Sequence, residues 1–513
     1  MLEGWTLWEF VERRADASPD ATMLVDDGGR TMTFGAYREA AERAAAGFAA
    51  LGVADGDRVS WQLPTWIETC VLAAALSRLG AVQNPVLPIY RAKELGFVIR
   101  QTEAKVLVVP TTWRSVDFQA MAEGIVEGTP TRVVTCDRVL PEGDPADLAG
   151  PPTPSDDPPV RWLYYTSGTT ADPKGAQHTD LTILAAAVAM SERLQLTAAD
   201  RSGVVFPFTH IAGVIWIYAS LMSGCSMLLT EAFDPVGTTE FLAREDVTLA
   251  GSGTFFHLAY LNAQRERAGQ HGGGAAVFPN VRAYPGGGAP KPPQLHYDLK
   301  KEIGGVGVVS GYGLTECPIL SMASVDDPDD KLADTEGTLC TGVDVRVVST
   351  EGADVGPAEE GELRVKAPQR FLGYLDASLD AEAFDDEGYF RTGDLGFVDA
   401  DGYVVITGRL KDIIIRKGEN VSAKELEDLL YQHPSVGDVA VIGLADPESG
   451  ERVCAVVATK EGAAPLTFEA MQAFCDEHGL MKQKWPEQLE IVDAVPRNPA
   501  GKVLKHELRE QFA

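Results

Sequence analysis

The sequence predicts a multidomain α/β protein: a large N-terminal region of two α/β subdomains plus a small β-barrel-like unit, then a small α+β domain. Three observations lead there. Strand-like and helix-like stretches alternate through the first part of the chain, which implies parallel sheets covered on both faces. Helical patterning fades between Glu336 and Ile406, where VDVRVV, GELRV and GYVVIT alternate with Gly- and Asp-rich turns. The last 105 or so residues change character again, and a length of 513 residues suits about three packed units.

Taken in order, Thr33 caps a helix with an apolar face of Phe34, Tyr37, Ala41, Ala45 and Phe48, closed by Gly52. A strand is expected at 58–63, a helix at 65–79 ended by Gly80, a helix at 94–102 and a buried strand at 105–110. The Pro/Asp stretch PPTPSDDPP at 151–159 reads as a linker, and the Gly-rich 269–293 as a loop-rich connection over a cleft. Residues 211–222 form an apolar helix too short for a bilayer span of about 20 residues. Towards the end come a strand at 412–415 and a capping-box helix from Ser422–Glu425 to Tyr431. Strands at 438–444 and 452–459, a helix at 468–478 and a strand at 489–493 follow. The domain boundary is expected near 408–411, giving 1–408 and 409–513.

Composition narrows the function. A net charge of −31 repels phosphate backbones and anionic lipid, which argues against nucleic-acid partners and membrane docking. The first residues carry acids and Trp5 rather than a basic start, so no secretory signal is expected. Seven scattered cysteines without a CxxC pair suit a reducing, cytoplasmic setting and offer no metal framework.

The most informative segment is YTSGTTADPKG at 165–175, directly after an apolar strand. Backbone N–H and hydroxyl groups of Thr166, Ser167, Gly168, Thr169 and Thr170 can converge on phosphate oxygens there, and Lys174 adds a compact cation. It is not a Walker loop, because Gly175 and Ala176 follow the lysine instead of Ser or Thr. Five more motifs follow: GGAP at 287–290, YGLTE at 312–316, YFRTGD at 389–394, GRLKD at 408–412 and PRNPAGK at 496–502. In this order, and over essentially the whole chain, they resemble the adenylate-forming ligases. These are acyl-CoA synthetases, peptide-synthetase adenylation domains and firefly-type luciferases. Ala171 departs from the glycine of many members; if that position needs φ > 0, alanine costs about 1 kcal/mol.

The resemblance implies a two-step reaction. A carboxylate attacks the α-phosphate of ATP, and a thiol, usually of coenzyme A, then displaces AMP. It implies that Glu316 holds Mg²⁺, that Thr315 reaches the α-phosphate, and that Tyr312 stacks on adenine opposite Gly288 and Ala289, beside Gly311. Asp394 becomes the ribose anchor with Arg409 nearby, and Lys502 the cation that bridges carboxylate and α-phosphate. Lys505, by contrast, reads as solvated surface. Lys411 is the implied hinge of a mobile C-terminal domain, with Lys417 and Gly418 facing coenzyme A. His210 gates an acyl pocket assigned to Trp216, Phe255, Phe256, Gly286 and Gly287.

No acid follows His210 in HIAGVIW to receive an ammonium group, and no clamp for a second carboxylate is evident. The expected enzyme is therefore an acid–CoA ligase for a monocarboxylic fatty, alicyclic or aromatic acid, similar to bacterial medium-chain and cyclohexanecarboxylate-type ligases. ATP, Mg²⁺ and coenzyme A are its expected cofactors, and a homodimer is left open. The rivals are a fatty acyl-AMP ligase that serves a carrier protein and a silent nucleotide or acyl-CoA sensor.

Overall fold

The structure, a computed structural model, describes residues 1–166, 173–271, 275–289, 291–349, 351–416, 419–446, 449–498 and 501–513. Side chains at 270, 271, 419 and 420 stand outside that description. Two α/β sheets come first. One has six strands in the order Lys174–His178, Trp162–Thr166, Val82–Pro85, Arg58–Trp61, Val106–Val109 and Arg132–Thr135. Its pairings are parallel except for the antiparallel hairpin of Trp162–Thr166 with Lys174–His178 at one edge. Val106–Val109 is buried along its whole length, as a parallel strand covered on both faces should be.

The second sheet orders Arg201–Val204, Ser226–Leu229, Thr22–Asp26 and Thr31–Thr33. Single bridges from Leu249 to Ser202 and to Ala283 stitch it to a third set: Tyr284–Gly287, Val308–Tyr312, Ser321–Met322 and Thr338–Leu339. Within the expected loop-rich connection at 269–293 lies a strand that the sequence reading did not foresee, Tyr284–Gly287. Gly287 pairs with Gly311, and a Cβ at Gly287 would lie 2.5 Å from the Gly311 carbonyl. The glycines that mimic a loop are what let these two strands close.

The predicted helices hold. Phe34–Ala50 begins where the Thr33 hydroxyl accepts from the Ala36 N–H at 3.2 Å, and Phe34, Tyr37, Ala41, Ala45 and Phe48 are all buried. Each buried phenylalanine is worth roughly 1.5–3 kcal/mol relative to exposure. Ile67–Leu79 ends on Gly80 at φ +72.

The β-rich unit is an open four-stranded antiparallel sheet of Asp344–Val348, Gly361–Lys366, Phe390–Val398 and Val404–Arg409, not a closed barrel. Its register sets Asp394 opposite Arg409. Val365 and Phe390 pack with Phe371, Tyr374, Ala176, Cys317 and Leu320, which joins this sheet to the edge hairpin.

After Arg409 only Leu410–Asp412, a short 3-10 turn, precedes Ile413–Arg416, the first strand of a separate five-stranded sheet. There Val439, Val441, Val453, Ala455 and Val457 face the helices Ala423–Leu430 and Phe468–Glu477. The alternate residues Ala440, Ile442, Cys454 and Val456 face Lys505–Phe512. The Ser422 hydroxyl caps Ala423–Leu430 by accepting from the Glu425 N–H at 3.3 Å, while the Glu425 carboxylate pairs with Lys484 at 2.6 Å. All seven cysteines are free and buried. Among the described residues no helix is long and apolar enough to cross a membrane.

Candidate active site

A cleft of about 260 Å³ lies where the C-terminal sheet meets the rest of the chain. Gly288, Ala289, Gly311, Tyr312, Asp394, Arg409, Lys411 and Lys502 all line it. The antiparallel register delivers Asp394 and Arg409 as a pair: the Arg409 Nε forms an ion pair with Asp394 Oδ1 at 2.7 Å, and the Tyr312 hydroxyl donates to Oδ2 at 2.9 Å. Burial pushes the Asp394 carboxyl above its usual range, and Arg409 and Tyr312 oppose that shift.

Lys502 reaches the same cleft from the C-terminal domain. Its loop is anchored at both ends. The Asn498 side-chain oxygen accepts from the Lys502 N–H at 3.0 Å, and Arg497 pairs with Asp438 at 2.8 Å while donating to the Gly501 carbonyl at 2.7 Å. Gly501 sits at φ +82, and a Cβ there would lie 3.1 Å from the Phe255 Cβ. Only glycine satisfies both demands. Burial, then the neighbouring Arg409 and Lys411, lower the Lys502 ammonium to about 8. Lys505 is not solvated as expected; it pairs with Glu427 at 2.8 Å.

A second cluster gathers around the edge hairpin. Thr166 and Lys174 sit opposite each other across it. Ser167, Gly168, Thr169, Thr170 and Ala171 lie outside the described residues, as do Pro290, Lys417 and Gly418. The Lys174 ammonium stands 5.2 Å from the Tyr374 ring centroid, and the Tyr374 hydroxyl donates to Glu316 Oε1 at 2.7 Å. His178 Nε2 donates to the Thr315 carbonyl at 2.8 Å, with Nδ1 3.0 Å from the Thr182 hydroxyl. Burial lowers this imidazole to about 4, so it is a neutral strut. The sequence reading missed His178, although Lys174, Ala176 and His178 share one face of a strand by their spacing of two. It also missed Tyr374, for which no local signal exists.

Glu316 is buried, and among the described residues no donor reaches Oε2. No group of three or more His, Cys, Asp or Glu that could hold a metal occurs among them. A lone carboxylate of this kind fits Mg²⁺, which keeps waters and substrate phosphates as its other ligands. It does not fit a caged structural metal.

On the remaining side, His210 caps the helix Ile211–Ser223, its Nδ1 accepting from the Ala212 N–H at 3.2 Å. Desolvation lowers its imidazole to about 4, so the neutral ring carries its hydrogen on Nε2. Phe206 meets it edge-on. Trp216 and Phe256 are buried in the main core, whereas Phe255 is 39% exposed. Phe233, absent from the sequence expectation, packs edge-on against both Phe255 and Phe256. Gly286 lies against His257, whose Cε1 would be 3.0 Å from a Cβ there. The cleft that holds Lys502 is not lined by His210, Trp216, Phe255, Phe256, Gly286 or Gly287, nor by Glu316 or Lys174.

The architecture is that of the adenylate-forming enzymes. The chain belongs to the AMP-binding enzyme family: residues 11–375 match that family's model, and 425–502 match the AMP-binding enzyme C-terminal domain. It is 32% identical to the medium-chain fatty-acid–CoA ligase of Escherichia coli (strain K12), over 99% of this chain and 90% of that one. It is 31% identical to the salicyl-AMP ligase / salicyl-S-ArCP synthetase of Mycobacterium tuberculosis, over 99% and 91%. Among solved structures, ATP-bound MatB from Rhodopseudomonas palustris matches with a TM-score of 0.84 at 28% identity, covering 98% of this chain and 99% of that one.

Proposed function

We propose that this chain is an ATP-dependent acid–CoA ligase. It activates a monocarboxylic acid as acyl-AMP with release of pyrophosphate, then transfers the acyl group to coenzyme A with release of AMP. One observation carries the reading: a half-buried ammonium, Lys502, is delivered from the C-terminal domain into the cleft that holds Asp394, Arg409 and Tyr312. The first step forces a carboxylate onto a polyanion, so its barrier is mostly charge repulsion, and positioned cations lower it.

In this reading Lys502 bridges the attacking carboxylate and the α-phosphate. Its ordinary cost of burial, which lowers it to about 8, is offset when ATP brings negative charge. Asp394 accepts from the ribose hydroxyls, while Tyr312 stacks on adenine over Gly288, Ala289 and Gly311. Thr166, Lys174 and the loop 167–170 take the phosphates, and Thr315 reaches the α-phosphate from a turn held by His178. Glu316 would hold Mg²⁺, which supplies charge neutralisation on the phosphate oxygens. The N–H at Nε2 of His210 would meet the acid's carboxylate, with Phe255, Phe256, Gly286 and Gly287 walling its tail and Trp216 behind them.

For the second step the C-terminal domain, 409–513, turns about Lys411 and withdraws Lys502. That motion brings Lys417 and Gly418 to coenzyme A. The three residues between the two sheets make 410–412 the natural pivot. Seven free, buried cysteines fit the reducing cytoplasm in which we place the enzyme.

The test is pyrophosphate release against a panel of acids of graded length and ring content, followed by thioester detection with free coenzyme A. Release that ignores added acid would mark a nucleotide-binding sensor. Adenylate that accumulates without reacting with free coenzyme A would mark a carrier-dependent ligase, as the name of the salicyl-AMP relative describes for that protein.

A further inference from the structure

Tyr374 is a residue the resemblance did not supply, yet it joins both halves of the phosphate side. It is 5% exposed, and it touches two groups of the phosphate side at once, Glu316 through its hydroxyl and Lys174 through its ring. Its backbone is fixed as firmly as its side chain. Leu375 donates to the Gly175 carbonyl at 2.7 Å, Tyr374 bridges Ala176, and the Asp380 carboxylate accepts from the Tyr374 N–H at 2.9 Å. The segment around Tyr374 thus lies as an added rung on the strand that carries Lys174. The Phe371 N–H donates to the Glu316 carbonyl at 2.8 Å, so the same segment also grips the glutamate's main chain.

We infer that Tyr374 is the positioning residue of the phosphate site: its hydroxyl occupies one oxygen of Glu316 and turns the other towards the metal, while its ring holds the Lys174 ammonium at a fixed height. The inference rests on the proposed role of Glu316. A carboxylate with two open oxygens could bind a cation in several orientations. One with Oε1 engaged presents a single oxygen, the arrangement a hexacoordinate ion needs from a protein that contributes only one ligand. Partners of a ligating group commonly set metal affinity by 10–100-fold. A cation over an aromatic face is worth a factor of about two to five at a partly exposed site.

The experiment measures Mn²⁺ binding to the enzyme–ATP complex by electron paramagnetic resonance without added acid, beside AMP binding in metal-free buffer. Tyr374→Phe, which keeps the ring, should weaken Mn²⁺ binding about tenfold and leave AMP affinity and melting temperature near those of the parent. Tyr374→Leu should weaken Mn²⁺ binding as much and also weaken metal-free ATP binding about two- to fivefold. Glu316→Gln is the control. If it weakens Mn²⁺ binding while Tyr374→Phe stays within twofold of the parent, the inference falls and the proposed function stands. If Glu316→Gln changes nothing either, the metal role of Glu316 falls and takes the inference with it. Equal losses of AMP and Mn²⁺ binding in Tyr374→Phe would reduce the residue to a packing element and also overturn the inference.

Discussion

The cleft around Asp394 and the wall around Phe255 sit side by side and are built on opposite principles. In the cleft, polar groups carry named partners: Asp394 has Arg409 and Tyr312, and the Lys502 loop has Asn498 and Arg497. On the wall, Phe233, Phe255 and Phe256 meet one another edge-on, and Phe233 meets Tyr260 in the same way. Charge recognition demands particular residue types at particular places, because an unpartnered buried charge costs several kcal/mol. Apolar enclosure demands only volume, and many residues supply volume. The first region is therefore specified residue by residue, and the second only collectively.

That contrast can be broken or sharpened in order of expected effect. Lys502→Ala should slow acid-dependent pyrophosphate release on the order of 10²- to 10³-fold, yet leave thioester formation from preformed acyl-AMP intact. Equal loss in both half-reactions would remove the lysine from the first step. Asp394→Asn comes next. Losing a charged acceptor should raise the KM for ATP by roughly 10- to 100-fold and leave the KM for the acid nearly alone, which steady-state kinetics would separate. Phe255→Ala belongs to the other region. It should reorder kcat/KM among acids by about tenfold with little change in KM for ATP. A ring that is 39% exposed also predicts little loss of melting temperature.

The pH dependence is the finer probe. Lys502 sits at about 8, below its ordinary 10.5, so its charge is present below pH 8 and lost as pH rises through it. First-step kcat/KM should fall on that alkaline limb, and Lys502→Arg, which stays charged, should flatten it. The smallest effect is on stability. Between about pH 8 and 10.5 the unfolded chain holds a proton here that the folded chain has shed, so this group's contribution to stability rises with pH across that window. Lys502→Met should accordingly stabilise most below pH 8, with the gain vanishing above 10.5, as thermal melts at several pH values would show.

The same contrast explains what was legible in the sequence. The motifs that hold Glu316, Asp394, Arg409 and Lys502 could be found by eye because the phosphate and ribose roles proposed for them would restrict the residues at each place. The helix Phe34–Ala50 and the alternating C-terminal strands were legible because period and capping are local properties. The strand Tyr284–Gly287 was hidden, since its glycines serve a neighbour's approach rather than a turn. Phe233 and Tyr374 were hidden for another reason: each acquires its role from partners distant in sequence, Phe233 from residues 255 and 256, Tyr374 from Lys174 and Glu316. Lys505 was misread because a C-terminal lysine carries no local sign that Glu427 lies across from it.

Gly501 resting against Phe255 has a practical consequence for redesign. Gly501, next to the lysine proposed to act in the first step, lies against the Cβ of Phe255, whose ring is proposed to wall the substrate's tail, so the two regions touch. Enlarging that ring to admit a different acid would crowd the loop on which, in the proposed reading, the first step depends. Altered selectivity at this position should come coupled to altered turnover, and a compensating change would have to be sought in the loop at 498–502 and not among the wall residues.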